Sequence, residues 1–134
     1  MPNTEDILAS DVSYYFSARE YRTEIILTCC LFEVLRDNLL ERKHLSRRSL
    51  NTSETDLLKH LSVGFEAAFS RNLRGERSDL FEFLRSCWIA RGHVAHGQPL
   101  MWREAGKAVD FEKYPTDQFT QKVEGIASWI RSVG

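Results

Sequence analysis

The chain has 134 residues, 43% of them hydrophobic and 28% charged, with a formal net charge of −1. That length suits a single domain with one core, 1–134, and the composition excludes a disordered chain and a polycation. Charge is unevenly spread, −4 over residues 1–39, +4 over 40–103 and −1 over 104–134, so an anionic partner is expected at the middle of the chain.

In chain order, a short helix is expected first, capped by Asn3 or Thr4. A long helix then starts at Ser10 or Asp11 and runs to His44. Val12, Tyr15, Phe16, Ile25, Ile26, Cys29, Phe32, Leu35, Leu39 and Leu40 recur along it at three- and four-residue spacings, giving one apolar stripe. The polar segment "LSRRSLNTS" (45–53) breaks the pattern and reads as a loop. In "SETD", Ser53 is placed to cap the next helix, with Asp56 three residues on as in a capping box. Leu57, Leu58, Leu61, Phe65, Ala68 and Phe69 mark its buried side.

"RNLRGER" (71–77) reads as a second basic loop turning at Gly75, and Ser78 as the cap of the helix that follows. That helix ends in "RSCWIARGHVAHG" (85–97), and its apolar positions are Leu80, Phe81, Leu84, Cys87, Trp88, Ile89 and Val94. Gly97 and Pro99 stop it, since glycine takes the left-handed cap and proline cannot continue a helix. Residues 98–115 read as an irregular connection with a short extended piece near "KAVDF". A last helix from Thr116 or Asp117 buries Phe119, Val123, Ile126 and Ile130. With no convincing alternating strand, the expected fold is all-α, an antiparallel helical bundle of four to five helices.

Cys29, Cys30 and Cys87 are odd in number and sit in helical apolar patterns, which suits buried, reduced thiols. "MPNTEDILAS" lacks an apolar signal core and no run reaches membrane-spanning length, so a cytoplasmic protein with no membrane partner is expected.

Among the thirteen arginines, only Arg91 has a histidine four to six residues further on, His96. Two cations at a helix C-terminus also meet the negative end of its dipole, a sufficient structural reason for both. Five residues of ideal helix set their Cα positions about 140° apart around the axis and about 7.5 Å along it, so one copy does not readily bring both to one phosphate. His93 and His96 lie three apart, but no carboxylate or cysteine nearby completes a metal set, and no metal or cofactor is expected. Glu33 stands in an apolar stretch, where it is a candidate partner for Arg91. His44 and His60 read as surface or loop residues, and Trp88, Trp102 and Trp129 as core or dimer-interface residues.

"LRSCWIARGHVAHG" resembles the signature helix of the HEPN domains, whose motif is Arg, a usually polar residue, three variable residues, then His. The closing His-Gly resembles the Apea-like branch, and "YYFSAREYRTEIILTCCLFEVL", ending in Leu31, Phe32 and Glu33, is similar to that branch's earlier long helix. One departure stands out. The usually polar position after the arginine is Gly92, with His93 offering a polar group one place later.

The resemblance implies a metal-independent endoribonuclease whose two copies face each other through the signature helices, as a toxin or in anti-phage defence. A two-fold axis pools two arginines and two histidines in one cleft. His96 would act as general acid or base and Arg91 as phosphate clamp, with Glu33 and His93 auxiliary. Cleavage would leave a 2′,3′-cyclic phosphate and a 5′-hydroxyl. Arg42, Lys43, Arg47, Arg48, Arg71, Arg74 and Arg77 would track the RNA backbone. The expected partners are RNA, a second copy, and an antitoxin or sensor protein. The alternative is a catalytically silent relative serving as a dimerisation, protein-binding or nucleotide-binding module.

Overall fold

The structure, a computed structural model, describes residues 3–17, 20–50, 56–104 and 106–134, with the side chains of residues 13 and 15–17 left aside. It is a helical bundle with one small hairpin. Helix α1 spans Thr4–Ser17, α2 Tyr21–Arg42, α6 Ser78–Ala95 and α7 Thr116–Val133. Between α2 and α6 the chain makes a 3-10 turn (Arg47–Leu50), α3 (Leu57–Lys59), a π-helical turn (His60–Gly64), α4 (Phe65–Phe69) and α5 (Leu73–Glu76). Residues 57–69 thus form one interrupted helical run. No helix of the described residues is long and apolar enough to cross a membrane.

Helix α2 is the central element, packed against α1, α6 and α7. Ile25, Cys29, Phe32, Leu35 and Leu39 of its expected stripe are fully buried, whereas Ile26, expected on the same stripe, is 38% exposed, one position round the helix from the core-facing Ile25. Helix α7 buries Phe119, Val123, Ile126 and Ile130 as expected. Trp102 and Trp129 are core residues. Trp102 lies among the rings of Phe83, Phe111, Tyr114 and Phe119, and Trp129 stacks on Phe65 with ring centres 5.8 Å apart.

Several local expectations are corrected. Helix α1 runs through Ser10 and Asp11, and the break falls between Ser17 and Tyr21. Asn3 does cap α1, its Oδ1 accepting from the Asp6 amide at 2.8 Å. Asp56 itself caps α3, accepting from the Leu58 amide at 2.8 Å, while Ser53 lies outside the described residues. "RNLRGER" folds into α5, capped by Asn72 Oδ1 on the Gly75 amide, so Gly75 is helical rather than the turn. Ser78 is the first residue of α6 and makes no side-chain cap. Ile89 is 48% exposed, on the outer side of α6.

The connection after α6 is more regular than expected. β1 (Trp102–Glu104) pairs antiparallel with β2 (Lys107–Val109), Trp102 opposite Val109, and Gly106 takes φ +77° at the turn. The Ser86 hydroxyl donates to the Arg103 carbonyl, and both Trp102 Nε1 and Tyr114 Oη donate to Glu104 Oε1, which fixes the hairpin to α6 and the core.

His60 is buried, against the surface reading. Its Nδ1 lies 3.0 Å from Nη1 of the buried Arg36; a guanidinium only donates, so Nδ1 accepts and Nε2 holds the proton. The chain passes closely here, because a side chain at Gly64 would meet Leu50 Cβ at 2.9 Å.

Candidate functional site

The last turn of α6 closes as a Schellman motif. His96 is the C-cap, Gly97 takes φ +68°, the Gly97 amide donates to the Val94 carbonyl and the Gln98 amide to the His93 carbonyl at 2.8 Å. Only glycine adopts that backbone without strain, which is the physical reason for the stop expected at Gly97. Arg22 of α2 completes the closure. Its Nη1 donates to the Gln98 carbonyl at 2.7 Å and its Nη2 to the Val94 carbonyl at 3.3 Å. A guanidinium here adds a second donor to the Val94 carbonyl, holds the chain just beyond the cap through Gln98, and offsets the helix's negative end. His96 is therefore an exposed side chain on a fixed backbone.

Arg91 leaves the same helix on another side. Its Cζ stands 4.7 Å from the centre of the half-buried Trp88 ring, and its Nη2 lies 3.9 Å from Glu33 Oε1 on α2. The expected Glu33–Arg91 pairing is present, but it is long and half exposed, with side chains 31% and 38% accessible. Such a pair contributes at most about 1 kcal/mol and leaves the guanidinium free to exchange a carboxylate for a phosphate. No hydrogen bond joins Arg91 to His96 among the described residues. Within one chain the two lie on different sides of α6, as the helical geometry requires.

The outer side of α6 between them is open. Gly92 has no heavy atom within 4 Å of where a Cβ would stand, and Ile89 is exposed beside it. His93, half-buried, lines a cavity of about 240 Å³ with Ser86, Ile89, Met101 and Arg103. Its Nδ1 is buried and has no hydrogen-bond partner.

The basic residues named from sequence divide into two kinds. Arg42, Lys43 and Arg48 are exposed near the end of α2 and in the 3-10 turn. Arg47 is held by Asp37 through two hydrogen bonds of 3.2 and 2.8 Å, and Arg36 gives the same carboxylate a third of 2.9 Å. Burial pushes the Asp37 carboxyl up, and these hydrogen bonds and charges outweigh it, holding it below the usual carboxylate range. Arg71 grips Glu76 and the Ser132 carbonyl, Arg74 lies over the Phe81 ring, and Arg77 pairs with Asp79, whose carboxyl its hydrogen bonds hold down at about 2.

The thiols are poor nucleophiles. Burial raises Cys29, against the opposing charge of Arg91, and raises Cys87 well above the ordinary thiol range. Among the described residues no group of three His, Cys, Asp or Glu side chains gathers to hold a metal. Arg22, the His93 cavity and the Arg36–His60 contact were not found from sequence. The first two depend on which elements meet, and Arg22 sits in the polar run "AREYRTE", where one more charge carries no signal. No family model, no curated protein and no solved structure matches the chain.

Proposed function

We propose that this chain is a metal-independent endoribonuclease of the HEPN type, acting as a homodimer in a toxin or anti-phage setting. The observation that carries the reading is the pairing on one helix end of an accessible arginine, only loosely engaged by Glu33, with an exposed histidine on a braced backbone.

In this reading an imidazole takes the 2′-hydroxyl proton or protonates the departing 5′-oxygen, water serving the other transfer, and a guanidinium holds two oxygens of the crowded phosphate. His96 takes the first role and Arg91 the second. The chemistry leaves a 2′,3′-cyclic phosphate and a 5′-hydroxyl and needs no metal. Because Arg91 and His96 diverge within a chain, each centre takes its arginine from one copy and its histidine from the other. The open strip at Gly92 accepts a helix at close range, and two-fold packing of α6 on α6 gives that arrangement. Arg42, Lys43 and Arg48 extend the phosphate contacts, with an antitoxin or sensor protein as controlling partner.

A second reading, a silent dimerisation or protein- or nucleotide-binding module, is favoured by Gly92, which supplies no polar group next to Arg91. The test is purified protein with end-labelled RNA in EDTA. Cleavage to cyclic-phosphate ends, lost in Arg91→Ala and in His96→Ala with the dimer retained, supports the nuclease. Absence of cleavage of every RNA class at micromolar protein favours the module.

A further inference from the structure

The cavity beside His93 is distinct from the Arg91 side of α6. Its lining residues Ser86, Ile89 and His93 fall at i, i+3 and i+7 on one helix face, and β1 with the residue before it supplies Arg103 and Met101 opposite. At about 240 Å³ it is smaller than the ~300–1,000 Å³ pockets that hold drug-sized ligands, so it suits a single ring system. Ile89 and Met101 give it apolar walls that are 48% and 46% exposed as the chain stands, and a flat ligand between them would cover both. The His93 ring forms one side of the cavity, and Ser86 Oγ, whose proton is engaged by backbone carbonyls, keeps a lone pair that can accept from a ligand. Arg103, exposed on β1, adds a guanidinium plane of the kind on which RNA bases stack.

Position adds a second argument. His96 follows His93 by three residues, about 4.5 Å along the helix and about 60° around it, so the cavity and His96 share one side of α6. A group in the cavity and a phosphate at His96 therefore lie next to each other on the same side of α6.

We propose that this cavity binds one nucleobase of the substrate strand, next to the phosphate that is cut, and so sets base preference. This rests on the nuclease reading for its substrate class. The apolar walls hold the base by its faces, Arg103 stacks on it, and Ser86 beside the His93 ring reads its polar edge. His93 is here a specificity residue, separate from the proton transfer assigned to His96. A side chain of a second copy is the competing occupant, and the experiment separates the two.

The four nucleoside 5′-monophosphates are titrated into the full chain, observed through the His93 ring and Met101 methyl resonances, and the same preparation is assayed for RNA cleavage in EDTA. The expected result is a saturable shift of both resonances that differs among the four bases. Ile89→Trp, which fills the cavity from an exposed position, should weaken that binding at least about tenfold while circular dichroism stays native. Met101→Trp serves as a second filling variant. If no nucleotide shifts His93 or Met101, or if Ile89→Trp leaves nucleotide binding intact and instead shifts the monomer–dimer equilibrium, the proposal is overturned. Nucleotide binding without RNA cleavage defeats the nuclease reading and keeps the pocket. Cleavage with neither nucleotide binding nor base preference keeps the nuclease and removes the pocket.

Discussion

Arg22, near the start of α2, donates to the carbonyl of Gln98, two residues beyond the C-cap of α6, at 2.7 Å across 76 positions of sequence. This bond and its partner to Val94 tie the histidine end of α6 to α2. Arg22→Ala is expected to cost about 1 kcal/mol in urea denaturation, since both bonds are exposed. Amide exchange should rise first at Gly97 and Gln98, and if cleavage occurs it should fall with the His96 side chain chemically unchanged. Unaltered exchange at those amides would show that the Schellman motif stands alone.

Two glycines in one helix end should respond oppositely. Gly97→Ala places a Cβ at φ +68° and is expected to destabilise by about 1 kcal/mol or more. Gly92→Ala meets nothing within 4 Å and exchanges glycine for the best helix former, so the isolated chain should gain roughly 0.5–1 kcal/mol. Denaturation at low protein concentration measures both. At higher concentration the Gly92→Ala gain should shrink or reverse as a second copy packs on that strip.

Glu24 gives stability a pH dependence. It is fully buried, Oε2 has no partner, and burial raises its carboxyl to about 8 against the opposing hydrogen bond from Thr28. Thr28 Oγ1 lies 2.6 Å from Glu24 Oε1 and 2.9 Å from the Glu24 carbonyl. The Thr28 hydroxyl donates to Oε1, while the buried, unpartnered Oε2 favours the neutral carboxyl. A folded value above the unfolded one means the contribution is complete below about 4.5 and is lost as pH rises through about 8. Glu24 alone should therefore lower the unfolding free energy by an amount on the order of a few kcal/mol between those limits. Glu24→Gln should flatten that slope, and an unchanged slope in denaturation across pH 5–9 would refute the assignment.

The exposed and the paired arginines should also separate. Replacing Arg42, Lys43 and Arg48 by alanine is expected to weaken RNA binding at every sequence and reduce the salt slope by up to about 2–3. Arg77→Ala should leave the slope nearly unchanged, since Arg77 is already held by Asp79. Binding isotherms at several salt concentrations distinguish the two, and equal losses would mean that Arg77 releases Asp79 to reach RNA.

Much of the bundle was legible because its signals are local. The stripes of α2 and α7 follow from helical spacing, and the end of α6 from Gly97 and Pro99. The break between α1 and α2 was missed although the apolar spacing lapses from Phe16 to Ile25, because the run "SAREYRTE" holds neither glycine nor proline to mark a stop, and α5 because Arg71, Arg74 and Arg77 read as a charged loop until their partners are known. The hairpin had a faint signal, Gly106 between "WRE" and "KAV", outweighed by the shortness of both runs. Burial of His60 depends on Arg36, 24 positions away, and exposure of Ile89 on which side of α6 meets the core. Residue types and spacing named Arg91, His96 and Glu33 and set Arg91 and His96 apart on the helix; packing adds the loose, half-exposed geometry of the Glu33–Arg91 pair.

The central claim is that two copies each supply half of a cutting centre. Arg91→Ala and His96→Ala chains, each inactive alone, are mixed in equal amounts, allowed to exchange subunits, and assayed on RNA in EDTA. Half of the dimers are then mixed, and each keeps one intact centre of two, so the account predicts recovery to about a quarter of wild-type cleavage. Mixed dimers that form but cut no RNA, beside an active wild type, would contradict it.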